Sequence, residues 1–315
     1  MNATTTKGHF AASLTIFIWG TTFISTKILL VDFQPIEILF FRFLIGLLTL
    51  SVLCPRRLKV KAPAQELSFM AAGLCGIRLY YLLENIALTY TSASNVGIII
   101  SIAPFFTAML SHFFLKEGKN MTPCFFIGFL VAMCGICMIS IQGTALSFHP
   151  IGDFLALLAA FLWACYSVLS KKISSYGYPT VPATKKIFFY GILFMIPALL
   201  IFDFHWQPTR FANPVYLFNI LFLGFGASAI CFVTWNLAVK TLGAVKTSIY
   251  IYAVPVITVA TSVLILHEAF TVKTAIGTLL TLTGLFLSEG KCLPFHKPKS
   301  TASCVASADT PSAPL

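Results

Sequence analysis

Ten predominantly apolar runs follow one another along the chain, at 10–30, 36–53, 67–88, 93–115, 122–141, 152–170, 187–203, 215–238, 245–266 and 272–288. A helix needs about 20 such residues to cross a bilayer core. The runs are too long for barrel strands and do not alternate in polarity. The pattern therefore predicts an all-α membrane protein of ten transmembrane helices. The connections are short and carry turn or charge signals, as in Cys54-Pro55-Arg56-Arg57 and Tyr176-Gly177-Tyr178-Pro179. The third run is the most polar and contains both Arg78 and Glu84.

The first ten residues, MNATTTKGHF, are polar, and the run behind them lacks a small-residue cleavage site. It reads as a retained helix and not as a cleaved signal. Orientation follows from Lys and Arg, which collect on the cytoplasmic side. With the N-terminus inside, 16 of the 21 basic residues fall on the inner side, three (Lys27, Arg210, Lys273) outside, and two (Arg42, Arg78) within helices. Both termini are then cytoplasmic, in a plasma (inner) membrane. Residues 291–315, rich in Ser, Ala and Pro without apolar periodicity, read as a disordered cytoplasmic tail.

Composition agrees with a lipid solvent. Hydrophobic residues make up 58% of the chain and charged residues 10%, against about 25% charged in soluble domains. The net charge of +11 is thereby a matter of topology, and no nucleic-acid partner is expected. Cys134 and Cys137 form a CxxC in wholly apolar surroundings with no second ligand pair. The six histidines are scattered, and no nucleotide, dinucleotide, zinc or nucleophile motif occurs. No metal, cofactor or enzymatic activity is expected; the partners are the bilayer and a small-molecule substrate. The sequence specifies no oligomeric state.

The most specific signal is an internal repeat. Residues 17–27 (FIWGTTFISTK) match residues 161–171 (FLWACYSVLSK) at an offset of 144, aligning Trp19 with Trp163 and Lys27 with Lys171. At an offset of 151, Asn85 matches Asn236, Pro104 matches Pro255 and Glu117 matches Glu268; a two-residue deletion then aligns Gly128 with Gly277 and Gly135 with Gly284. The predicted domains are a first repeat, 10–141, and a second, 152–288. Five helices per repeat is an odd number, so the second must enter the membrane from the opposite side. Inverted repeats of this kind are common in secondary transporters and suit alternating access.

FIWGTTF in the first helix, Arg42 in FFRFL, and ALTYTSASNVGIIISIAPFFTAMLSHFFLKE at 87–117 resemble the EamA-type exporters of the drug/metabolite transporter superfamily, as do Pro255 and Glu268 in the second half. The resemblance covers 10–290. It implies ten helices, a central substrate cavity and export of small metabolites, often amino acids or their relatives. Arg78 and Glu84 stand outside the family's signature.

Arg42 and Arg78 lie near mid-helix, where an arginine is costly and should face the interior or a watery cavity. Glu84 is the only other ionised group well inside a helix. One arginine is therefore expected to pair with Glu84 and the other to be available to a substrate anion. Arg78, Tyr81 and Asn85 share one helical face by spacing, and Tyr80 and Glu84 an adjacent one. These line a cavity or bond neighbouring helices. Trp163 with Tyr166, Trp235 with Asn236, and Tyr250 with Tyr252 are further wall candidates. Pro104 and Pro255 break hydrogen-bond ladders at matched positions and are hinge candidates or static kinks. The function expected is secondary export of small polar metabolites, amino acids or related carboxylates. A sugar-phosphate or nucleotide-sugar antiporter, which would suit two arginines, is the alternative, and a membrane-embedded transferase is a more distant one.

Overall fold

A computed structural model of the chain describes residues 3–90, 93–115, 123–140, 150–201, 204–205, 207–266 and 272–288. All regular structure among them is helical. Helices α1 (Ala3–Leu29), α2 (Pro35–Leu53), α3 (Pro63–Tyr90), α6 (Pro150–Ser175), α7 (Thr180–Ile201) and α8 (Pro214–Leu242) are long and apolar enough to cross a membrane. The remaining apolar helices are shorter. They are α4, in two pieces (Ala93–Ile100 and Ala103–Leu115); α5 (Pro123–Ser140); α9, in pieces from Ala244 to Leu266; and α10 (Val272–Ser288). Proline stands at the first turn of α2, α3 and α8, where its missing N–H is not needed. Gly243, at φ 90°, ends α8 in a conformation that a side chain would resist. The tail 291–315, Glu117 and Glu268 lie outside the described residues.

Large apolar side chains remain on the outside. Phe10, Phe17, Val52, Phe113, Leu200, Phe218 and Leu279 are all more than half exposed. Such an apolar surface would drive association in water; in a bilayer it faces chains of the same polarity.

Inside, the helices pair by a rule. α1 packs on α8 and α9, as α6 packs on α3 and α4; α2 packs on α8, as α7 packs on α3; and α5 packs on α10. Each helix therefore contacts the other half in the way its sequence counterpart does. The α5–α10 seam is the tightest. A methyl group at Gly128 would lie 2.7 Å from the Gly284 carbonyl, and one at Gly135 would lie 2.6 Å from that of Gly277. The early glycine of α5 meets the late glycine of α10, so the two helices run antiparallel. Two small faces in close backbone contact provide the dispersion that holds helices together in lipid.

α3 and α8 each contain a π-helical stretch, Leu74–Leu79 and Phe222–Ile230. At the repeat offset of 151 the first falls on 225–230, inside the second. Glycines occupy matched positions there, Gly73 just before the first stretch and Gly224 within the second. Gly73 meets the α7 backbone at Ile187 and Gly191, and Gly224 meets Ile45 of α2. Wide turns of this kind commonly sit at functional sites.

α4 and α9 are broken where the sequence places Pro104 and Pro255. The helix ends at Ile100 and restarts at Ala103, with Ile102 accepting from Phe105 and Phe106. α9 passes through a 3-10 turn, Ile249–Ala253, before restarting at Val254. Each proline sits in the first turn of the restarted helix, the place its ring tolerates best.

Candidate functional site: an aromatic cavity with one carboxylate

α1, α3, α4, α6 and α9 converge on a narrow cavity with about 510 Å³ of atom-free space, its open mouth included. Trp19, Thr22 and Phe23 come from α1; Tyr80, Tyr81 and Glu84 from α3; Trp163 from α6. Gly97, Ile100 and Ser101 approach at the break in α4, and Ile251 and Val254 at the break in α9. Both interrupted helices thus reach the same cavity, as discontinuous helices do in many secondary transporters.

The walls are mainly aromatic. Trp19 and Trp163 meet edge to face at 5.1 Å, and Tyr80 lies 4.8 Å from Trp163 and 4.6 Å from Tyr81. The Trp19 indole donates to the Ala227 carbonyl at 2.9 Å, which fixes the ring. Glu84 is 7% exposed; the Tyr80 hydroxyl is its hydrogen-bond partner, and its Oε2 has no partner. The Trp163 indole N–H is likewise buried and unpartnered. Orphaned buried polar atoms are uncommon and call for an explanation; here two belong to residues lining one cavity.

Arg42 is 2% exposed and lies outside the lining. Its guanidinium stacks 4.4 Å from the centre of the Tyr81 ring, and its Nε donates to Ser228 at 3.2 Å. It therefore stands behind the Tyr81 wall. Arg78 is in the lining of neither this cavity nor the smaller cleft described below, and its Nε is buried without a partner. The expected ion pair of Glu84 with an arginine is not formed: Arg42 Nη2, Arg78 Nε and Glu84 Oε2 are all unpaired. Arg78 itself belongs to the π-helical stretch. The i, i+3, i+7 spacing that set Arg78 beside Tyr81 assumes 3.6 residues per turn, and the wider turns of Leu74–Leu79 rotate Arg78 off that face.

One end of the cavity is stopped by packing. Trp163 contacts Tyr166 at 5.1 Å and Trp235 at 5.6 Å, with Phe232 filling between them. The Asn236 side chain accepts from Tyr166 at 2.8 Å and from Ser170 at 2.6 Å, and donates to Thr184 at 3.0 Å. Beyond this layer is a smaller cleft of about 290 Å³, lined by Ser170, Ser174, Asn236 and Lys240 among others. Asn236 and Tyr166 thus sit between two cavities.

The remaining candidates are placed elsewhere. Asn85 donates to the Pro35 carbonyl at 3.1 Å and straps α3 to α2. Tyr250 meets His9 of α1, and Tyr252 is fully buried among Ile249, Phe125 and Ala132. The sequence reading overlooked Trp19, Thr22, Gly97 and Ser101. In the sequence Trp19 stands out as the repeat partner of Trp163, a pairing that is itself a signal that both face one axis.

Two pairs of charges join the halves at opposite ends. Glu37, wholly buried at the start of α2, binds Arg210 at 2.8 Å and accepts from the backbone N–H of His205 and Gln34. At the other end Lys186 of α7 binds Glu66 of α3 at 2.8 Å.

The profile of the EamA-like transporter family matches in two stretches, residues 6–141 and 150–289. The chain belongs to the EamA-like transporter family. As an EamA-like transporter it is 32% identical over 291 residues to an uncharacterized transporter of Archaeoglobus fulgidus, covering 90% of this chain and 98% of that protein. It is also 25% identical over 299 residues, 94% and 97% of the two chains, to a Streptantibioticus cattleyicolor protein named "probable terminal-alkyne amino-acid exporter". A solved crystal structure superposes with a TM-score of 0.72 at 20% identity, over 90% of this EamA-like chain and 96% of its own. The last likeness concerns fold alone.

Proposed function

We propose that this EamA-like membrane transporter is a secondary exporter of small polar metabolites, amino acids or their amine-bearing relatives, and not an enzyme. It works by alternating access between two inverted five-helix repeats, residues 10–141 and 152–288, in the plasma membrane with both termini cytoplasmic. The observation that carries this reading is the cavity itself. It lies where the broken helices of both repeats meet, holds an unpartnered carboxylate oxygen, and is separated by one packed layer from a second cleft. The twofold family match, the antiparallel α5–α10 seam and the reciprocal helix contacts support the repeats. Matched breaks at Pro104 and Pro255 are the hinges in this scheme.

No arginine lines the cavity, which removes the main attraction of the sugar-phosphate antiporter. The deciding experiment is uptake of radiolabelled amino acids into liposomes holding the purified protein. Counterflow driven only by an imposed gradient is expected. Uptake absent under every gradient, for every amino acid and amine tried, would overturn the reading.

A further inference from the structure

We infer that the group this cavity recognises is an ammonium, so that organic amines lacking any carboxylate are substrates alongside amino acids. The inference rests on the transporter reading and names the substrate class of the same site. It follows from a census of what the walls offer.

Among the described residues of the lining the only acidic or basic side chain is Glu84, whose Oε2 has no partner. Of the four lining hydroxyls, Thr22 donates to the Trp19 carbonyl at 2.7 Å, Ser101 donates to that of Gly97 at 2.8 Å, and the Tyr80 hydroxyl is the partner of Glu84; the fourth belongs to Tyr81. Thr22 and Ser101 can then only accept from a ligand. Trp19, Tyr80 and Trp163 turn aromatic rings toward the same space. Aromatic faces are electron-rich and attract cations, and an ammonium has three donors and no acceptor.

A carboxylate, by contrast, needs donors. The lining offers two neutral ones, the unpartnered indole N–H of Trp163 and the Tyr81 hydroxyl. The cation that would have matched a carboxylate, Arg42, is held behind Tyr81 with its charge against that ring and Ser228. The cavity is thus a carboxyl group at one point of an aromatic cage, with neutral donors for a secondary polar group. An amino acid satisfies both elements. An amine satisfies the one that carries charge.

The test uses three probes that share the isobutyl group of leucine: leucine itself, 3-methylbutylamine, which lacks the carboxylate, and 4-methylpentanoate, which lacks the amine. Binding to the purified wild-type protein is read by tryptophan fluorescence and by thermal stabilisation, and uptake into proteoliposomes is measured in parallel. The amine and leucine are expected to bind within about tenfold of each other, with the carboxylate at least tenfold weaker. Glu84→Gln is expected to abolish the preference for the amine, and Trp163→Phe to weaken leucine more than the amine. Carboxylate binding that equals or exceeds amine binding overturns the inference, as does failure of all three probes to bind; both comparisons use wild-type protein, so a poorly folded variant does not obscure them. Uptake of the carboxylate without the amine would sink the inference while leaving the transporter reading intact. Amine binding at Glu84 without uptake of any probe would do the reverse.

Discussion

Gly97 of the cavity wall and Gly76, packed on the closing layer, have opposite surroundings, and the difference predicts opposite phenotypes. A methyl group added at Gly97 would meet nothing within 4 Å, whereas one at Gly76 would lie 2.2 Å from the Tyr166 ring. Gly97→Leu should therefore fold normally, and even gain a few tenths of a kcal/mol in helix propensity, yet fill the cavity and stop transport. Normal transport by a well-folded Gly97→Leu protein would place the substrate elsewhere. Gly76→Ala should instead cost about 1–3 kcal/mol through overpacking, visible as a lower melting temperature in detergent. The residues were unequally legible in the sequence. Polarity inside an apolar run marked Glu84, Tyr80 and Tyr81 directly. Thr22, Gly97 and Ser101 gave no signal, because small and hydroxyl residues are common at any helix contact in a membrane. Arg78 misled, since its π-helical setting depends on Gly73 and Gly76 packing against other helices, which no local pattern records.

At the level of helices, the two charge pairs are instructive. Glu37 of α2 with Arg210 ahead of α8, and Lys186 of α7 with Glu66 of α3, join counterpart helices with the signs exchanged. They are not equivalent in energy. Glu37 is wholly buried, while the Lys186 and Glu66 side chains are 18% and 29% exposed. Arg210→Ala strands a buried carboxylate and should cost about 3–5 kcal/mol; the double change Glu37→Gln with Arg210→Ala should recover most of it. Lys186→Ala should cost no more than about 1 kcal/mol through the ion pair, plus what is lost from its contacts to the Leu58 carbonyl and the Phe69 ring. Thermal unfolding of the four proteins tests this order, and an equal loss from Arg210→Ala and Lys186→Ala would refute it. The helices themselves were readable from apolar runs, and the breaks in α4 and α9 from Pro104 and Pro255. The π-helical stretches were not, because the glycines and Arg78 of LCGIRL and FLGFGASAI are equally compatible with an ordinary α-helix.

For the whole molecule, orientation is the open quantity, and basic residues set the expectation. In a cysteine-free background, a single cysteine at position 57 should be inaccessible to a membrane-impermeant thiol reagent added to intact cells, and one at 209 should react. Both positions are exposed, so burial does not confuse the result, and the reverse pattern would overturn cytoplasmic termini. In that orientation the aromatic cavity opens toward the outside, and the Tyr166–Asn236 layer closes the inner path. The repeat was legible because Trp, Asn, Pro and Gly recur in order; what those residues do was not. Asn236 ties three neighbours in the closing layer, while its counterpart Asn85 only straps α3 to α2.

The glycine seam between α5 and α10 also sets a timetable. Gly135 and Gly277 are 142 positions apart in the chain. At about 5–20 residues per second of synthesis, α5 sits in the membrane for on the order of ten seconds before its partner is made. Throughout that interval its narrow, backbone-lined groove must be filled by lipid or by another helix. α10 is the last helix of the second repeat to emerge, and only its arrival closes the seam. Until then the seam stays open, so a chain stopped short of Val272 carries its own mark of being unfinished.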